Sequence, residues 1–187
     1  MSSDKLSKEK LYFERLTEIH IKSLPEFRCT EKELEKFLVE DAWINQQQGI
    51  SVTYLWFLKD AKQLVGYVTL LTDSINLNAD LKNFFREKDI HYKSLPALKI
   101  GRMAVSESMM RKGIGSMLIR FSIAIALKVY SEFAGCRFVI LEAKRGNNLN
   151  DPIHFYKAMG FNILTEREKG TIPMYLDVWI KGTGGSI

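Results

Sequence analysis

The sequence predicts an α/β domain, and three stretches carry that reading. Residues 98–144 run as strand, glycine-marked turn, long apolar helix and strand, which is a β-α-β unit. Residues 51–58 (SVTYLWFL) and 64–71 (LVGYVTLL) are rich in β-branched and aromatic side chains. They flank the polar turn Asp60-Ala61-Lys62-Gln63, the pattern of a β-hairpin. Upstream, Thr30 followed by Glu33 gives a capping-box signal ahead of Leu34, Phe37, Leu38 and Ala42, the apolar stripe of a helix. At 187 residues, with 46% hydrophobic and 26% charged side chains, the chain suits one domain with a real core. A single domain over 1–187 is expected, with a loose tail at 182–187.

The remaining elements are set by local signals. Residues 5–22 put Tyr12, Leu16 and Ile19 on one helical face and predict a first helix closing near Leu24-Pro25. The second helix runs out at Gln46-Gln47-Gln48, and Gly49 can take the left-handed conformation that stops it. Residues 72–97 have little periodicity and fit short helices or an ordered loop. A strand spans 98–105, and Ser106 or Ser108 can cap the helix after it. That helix, over about 114–130, carries Met117, Leu118, Phe121, Ile125 and Leu127 on a wide, substantially buried face. A strand at 137–143 leads to a loop at Asn147–Asn150. Asp151 then precedes Pro152, a favoured first helical residue, and Gly160 ends that helix. Strands at 161–165 and 173–179 complete the sheet.

Composition narrows the function classes. Cys29 and Cys136 are too far apart for a metal knuckle and too few for a disulfide framework, so both are taken as reduced thiols. No signal-peptide pattern and no run of 18 apolar residues is present, which leads to the expectation of a cytoplasmic protein without membrane attachment. His20, His91 and His154 lack metal-ligand spacing, and no G-x-S-x-G elbow supports a serine hydrolase. The formal charge of +5 is uneven: residues 1–50 hold 8 basic and 10 acidic side chains, residues 101–187 hold 12 and 7. A basic C-terminal half suits a phosphate-bearing ligand, whether cofactor or RNA, and equally an ordinary soluble surface.

The chemistry-bearing candidates are few. In Arg111-Lys112-Gly113-Ile114-Gly115-Ser116 two glycines stand before an apolar helix. The first amides of that helix have no internal partner and can hold phosphate oxygens, while two glycines can also simply mark a tight turn. Neither the P-loop nor the dinucleotide fingerprint is matched. Tyr156, in HFYKAMGF, is either a half-buried aromatic or a proton donor. Glu142, inside an apolar strand, is either a general base or a member of a structural ion pair.

These elements together resemble the GNAT superfamily of acetyl-CoA-dependent N-acetyltransferases. The resemblance rests on the glycine turn with its flanking strand and helix, then HFYKAMGF at 154–161 in order and spacing. The family's Q/R-x-x-G-x-G/A element reads Met110-Arg111-Lys112-Gly113-Ile114-Gly115 here, with Met110 in place of the polar first residue. Within the superfamily, FRCTEKELEKFL at 27–38 and SLPALKIGRMAVSESMMRKGIG at 94–115 are similar to the acetyltransferase toxins of toxin–antitoxin pairs, which acetylate aminoacyl-tRNA; Thr30 stands where glycine is usual. The resemblance implies a GNAT-like mixed, mostly antiparallel central sheet flanked by helices. It implies acetyl-CoA as cofactor, its pantetheine along Met103, Ala104 and Val105 and its pyrophosphate on the amides of residues 111–116. An amide of residues 104–106 would polarise the thioester, and Tyr156 would protonate the departing sulfur. The implied acceptor is a primary amine, with aminoacyl-tRNA first, helped by the basic, aromatic segment 82–102. A protein or small-amine acceptor is second, and a non-catalytic binding role third. An antitoxin partner and a homodimer belong to the same expectation.

Overall fold

The structure is a computed structural model and describes residues 7–146 and 152–179. Seven strands form one sheet in the order β1-β2-β3-β4-β5-β7-β6. They are β1 (Leu11–Arg15), β2 (Val52–Leu58), β3 (Leu64–Asn76), β4 (Ser94–Val105), β5 (Phe138–Ala143), β6 (Asn162–Ile163) and β7 (Ile172–Asp177). The β1/β2, β2/β3, β5/β7 and β6/β7 ladders are antiparallel and β4/β5 is parallel, so the sheet is mixed and mostly antiparallel. The helices are α1 (Lys32–Lys36), α2 (Ala42–Gln47), α3 (Ala79–Arg86), α4 (Ile114–Glu132) and α5 (Pro152–Ala158). Contacts group the chain into two compact units, Met1–Leu71 with Gly101–Phe121, and Thr72–Ile100 with Ser122–Ile187.

In the first unit the core joins Leu16, Leu38, Leu55, Phe57, Tyr67 and Ala104, with Leu34 and Phe37 packed against it. The helical stripe read from the sequence is therefore the face that is buried. Its start is different. Thr30 caps nothing; α1 begins at Lys32 behind Glu31. The reaching-back acid is Glu35, which accepts the Cys29 N–H at 2.8 Å and pairs with Lys32 at 2.9 Å. Lys32 first, then that N–H, holds the Glu35 carboxyl below its ordinary range. A π-helical turn at Phe37–Asp41 separates α1 from α2, and Gly49 takes φ +69 as the stop. Buried Tyr67 donates its hydroxyl to the Leu34 carbonyl at 2.7 Å, tying this helical segment to β3.

The first helix expected at 5–22 is corrected to strand β1 followed by a 3-10 helix at Glu18–Glu26. The cause is tertiary. Tyr12 stacks on Phe57 at 5.3 Å and Phe13 on Trp56 at 5.4 Å across the β1/β2 ladder, and such cross-strand aromatic pairs outweigh a weak helical periodicity. Ile19, placed on the apolar face by that periodicity, is exposed.

In the second unit Ile75, Leu77, Leu81, Phe85, Ala97 and Phe138 form a separate core. The segment with least periodicity holds the end of β3, then α3, capped by the Asn78 side chain accepting the Leu81 N–H at 3.0 Å. The β4/β5 ladder covers four pairs, from Ala97 with Phe138 to Ile100 with Leu141, although β4 runs on to Val105. Pro152 does open α5, and Gly160 ends it with φ +91. The expected loop at 147–150, the Asp151 cap and the tail at 182–187 lie outside the described residues.

The α4 helix is less buried than its sequence predicts. Ile114, Leu118 and Ile119 are fully buried in the first unit, whereas Leu127 and Tyr130 in the second are exposed. By length and mean hydropathy it would also suit a membrane span, a pattern shared by core helices of this composition.

Candidate functional site

In the first unit, the chain leaving β4 is pinned at each step. Ser106 donates its N–H to the Val65 carbonyl (2.9 Å), and Glu107 donates to that of Arg28 (3.1 Å). A 3-10 turn at Glu107–Met109 comes next, and buried Met109 and Ile114 anchor the two ends of the exposed loop between them. Within that loop Arg111 (φ +61) and Gly113 (φ +86) are left-handed. Turns that alternate left- and right-handed residues can aim successive N–H groups at one concavity, a nest suited to an anion. Holding the non-glycine Arg111 there costs roughly 1–3 kcal/mol, strain of the kind that collects at ligand-binding turns. The Met117 N–H is bonded to the Gly113 carbonyl at 3.2 Å, so the helix itself claims no partner for the amides of residues 114–116. A Cβ at Gly113 would meet nothing within 4 Å: the backbone torsion, not crowding, demands glycine, and the space before it is open.

Strand β4 supplies the other predicted cofactor contacts. Ala104 is buried and Met103 and Val105 are partly so. The Ala104 carbonyl lies 3.0 Å from where a Cβ on Gly66 would stand, so Gly66 lets β3 approach closely at this point. Of the amides at 104–106 expected to polarise a thioester, that of Ser106 is committed to the Val65 carbonyl on β3.

Thr30 and Met110, the two positions where the sequence departs from the family patterns it resembles, touch each other. The Thr30 hydroxyl donates to the Met110 sulfur at 3.4 Å. Each departure thus has a local partner in the other, and the glycine turn keeps its shape with methionine at its head. Sequence reading missed a cavity of about 370 Å³ at the 3-10 turn, where Phe27, Phe57 and Leu64 meet Arg28, Lys62 and Glu107. Its residues come from separated stretches of the chain, so no linear motif announces it.

In the second unit, Tyr156 sits on α5, packed against Phe155 at 5.3 Å and Phe161 at 5.9 Å. The carbonyl of Tyr156 closes the helix by accepting the Phe161 N–H at 3.0 Å, so the residue is held by backbone and ring together. Burial pushes its phenol up to about 12. Glu142 is exposed on β5, accepts the Thr171 hydroxyl at 2.7 Å and pairs with Arg167 at 3.5 Å. Of the two roles read from the sequence, its surroundings match the ion pair.

Among the described residues no group of histidine, cysteine and acidic side chains could hold a metal. His20 instead accepts the Thr17 N–H at 3.0 Å and bonds Glu14 at 2.7 Å. Both cysteines are buried, and burial raises both thiols.

A family model described as Acetyltransferase (GNAT) domain matches residues 51–163. Among solved structures, AtaT complexed with acetyl-methionyl-tRNAfMet is 24% identical with a TM-score of 0.77, over 92% of this chain and 98% of that one. AtaTR bound with acetyl-CoA is 25% identical with a TM-score of 0.71, over 94% and 98%. A tyrosine-to-phenylalanine mutant of the AtaT toxin bound to the C-terminus of the antitoxin AtaR is 22% identical with a TM-score of 0.72, over 95% and 99%.

Proposed function

This chain belongs to the GNAT acetyltransferase family, and from that membership we propose that it transfers acetyl from acetyl-CoA to the amino group of an aminoacyl-tRNA. The observation that carries the cofactor assignment is the left-handed pair Arg111 and Gly113 at the head of α4. The residues fit a diphosphate: the amides of residues 114–116 come before the first bond of the helix, and the space in front of Gly113 is open. The structures of similar proteins with acetyl-CoA and with acetylated tRNA support the reading.

When bound, acetyl-CoA supplies an acyl group activated as a thioester. The amides of residues 111–116 hold its diphosphate, and Met103–Val105 line up its pantetheine arm. A backbone amide at the end of β4, in the 104–106 stretch, would be the donor for the carbonyl oxygen, where negative charge would grow as the amine attacks. Tyr156, which holds its proton at Oη, would be the donor to the departing sulfur and would regain a proton from water. The amine's surplus proton leaves to water. General acid help of this kind contributes about 10²–10⁴-fold. Glu142 holds its part of β5 through Thr171 and Arg167 rather than taking a proton.

Incubation with labelled acetyl-CoA and a mixed charged-tRNA pool tests the acceptor. Acetylated aminoacyl-tRNA is the expected product, and label appearing only on polyamines or peptides would overturn it. An antitoxin-like partner belongs to the same proposal, supported by the AtaR-bound relative.

A further inference from the structure

In the second unit, a surface pocket of about 410 Å³ opens where the end of β3, helix α3 and the segment at 90–93 meet. Lys82 and Arg86 stand one turn apart on α3, and Lys93 is brought beside them by the Leu77 N–H bonded to the Lys93 carbonyl at 3.1 Å. Side chains four residues apart share a helix face, so two of the three cations are placed by helical geometry and the third by the backbone. Among the described residues none of the three is in an ion pair, and no carboxylate lines the pocket. The nearby acid Asp89 is bonded to His91 at 2.9 Å, and Lys88 is turned to the Phe84 ring at 4.8 Å. Tyr92 lines the same pocket with 70% of its surface exposed. An aromatic of that size left in water beside unpaired cations has no packing purpose.

We propose that this pocket binds the sugar-phosphate backbone of an RNA strand, with Lys82, Arg86 and Lys93 on phosphates and Tyr92 stacked on an unpaired base. Unpaired cations supply the salt-sensitive affinity, and a stacking aromatic supplies preference for single-stranded over duplex RNA. The site rests on the reading of charged tRNA as acceptor and names the part of the chain that grips it.

The test measures binding of a stem-loop RNA with a single-stranded 3′ end, a single-stranded oligonucleotide, a duplex, and an acidic peptide of equal charge, across a salt series. The proteins are the full chain, the triple variant Lys82→Gln/Arg86→Gln/Lys93→Gln, Tyr92→Ala, and Lys88→Gln as a surface cation outside the pocket. The triple variant should flatten the logarithmic salt slope by about 2, as expected at roughly 0.7 per lost phosphate contact. Tyr92→Ala should weaken single-stranded binding about tenfold with the slope unchanged. Melting temperature and acetyl-CoA affinity should stay at wild-type values in both. A loss from Lys88→Gln as large as one third of the triple variant's, on a logarithmic scale, would reduce the effect to general surface charge and overturn the site, as would tighter binding of the acidic peptide. Acetylation of tRNA by the triple variant with unchanged KM would sink the site and leave the acceptor reading standing. RNA binding at the pocket without any tRNA acetylation would do the reverse.

Discussion

The turn before α4 and the helix α5 carry their chemistry in opposite ways. At residues 111–116 the proposed working groups are main-chain N–H donors, in a turn with two left-handed residues. On α5 the proposed working group is one hydroxyl, on a ring packed between two neighbours. A site made of backbone tolerates changes of side chain as long as its torsions survive, and this one carries Met110 where the family element it resembles has a polar residue. A site made of one side chain tolerates no change in that atom. The two regions should therefore fail differently.

The largest effect is expected at the hydroxyl. Tyr156→Phe keeps the ring and its packing, so turnover should fall about 10²–10⁴-fold while acetyl-CoA affinity stays the same. Equal losses in both, measured by steady-state kinetics and calorimetry, would make the residue a packing element. Gly113→Val should act the other way round. Its Cβ meets nothing within 4 Å, but the left-handed torsion costs a non-glycine residue about 1–2 kcal/mol. Acetyl-CoA affinity should fall about tenfold or more as the nest deforms, converted from that torsional cost. Unchanged affinity would remove the turn from the cofactor site.

A further pair of glycines sharpens the role of close backbone approach. A Cβ on Gly66 would press the Ala104 carbonyl at 3.0 Å, and backbone yields little, so Gly66→Ala should cost about 1–3 kcal/mol of stability. A Cβ on Gly101 would press only the tip of Leu71 at 2.8 Å, and that side chain can rotate, so the cost in chemical denaturation should stay below about 1 kcal/mol. The pH profile separates the two regions without mutation. The phenol of Tyr156 is raised to about 12 by burial, and its useful form is the protonated one. Activity should therefore keep its alkaline plateau through pH 10, with loss from this group only as pH nears 12; in Tyr156→Phe the residual activity should show no such limb. The smallest effect belongs to Thr30→Val. Losing one exposed hydroxyl-to-sulfur bond should change stability by about 0.5 kcal/mol or less, and a larger loss would show that Thr30 and Met110 hold the turn.

The hairpin and the β-α-β unit were legible because their signals are local: period-two apolar runs, a polar turn and glycines at fixed places. The glycine turn and HFYKAMGF were legible as short motifs for the same reason. The stretch at 11–15 was not, since LYFER looks helical until Trp56 and Phe57 lie opposite it. The role of Glu142 was also undecided from sequence. An acid in an apolar strand reads as buried, and only the positions of Thr171 and Arg167 show an exposed, paired carboxylate.

By itself the chain's order of residues determined where most strands and turns begin, which helix face is apolar, and which glycines can take left-handed torsions, because those depend on neighbours within a few residues. Only the folded chain decided that Ser106's amide is taken by Val65, that Thr30 meets Met110, and that Lys82, Arg86 and Lys93 share one pocket. Contacts between distant residues depend on how elements pack, and packing energies have no signature in the linear sequence.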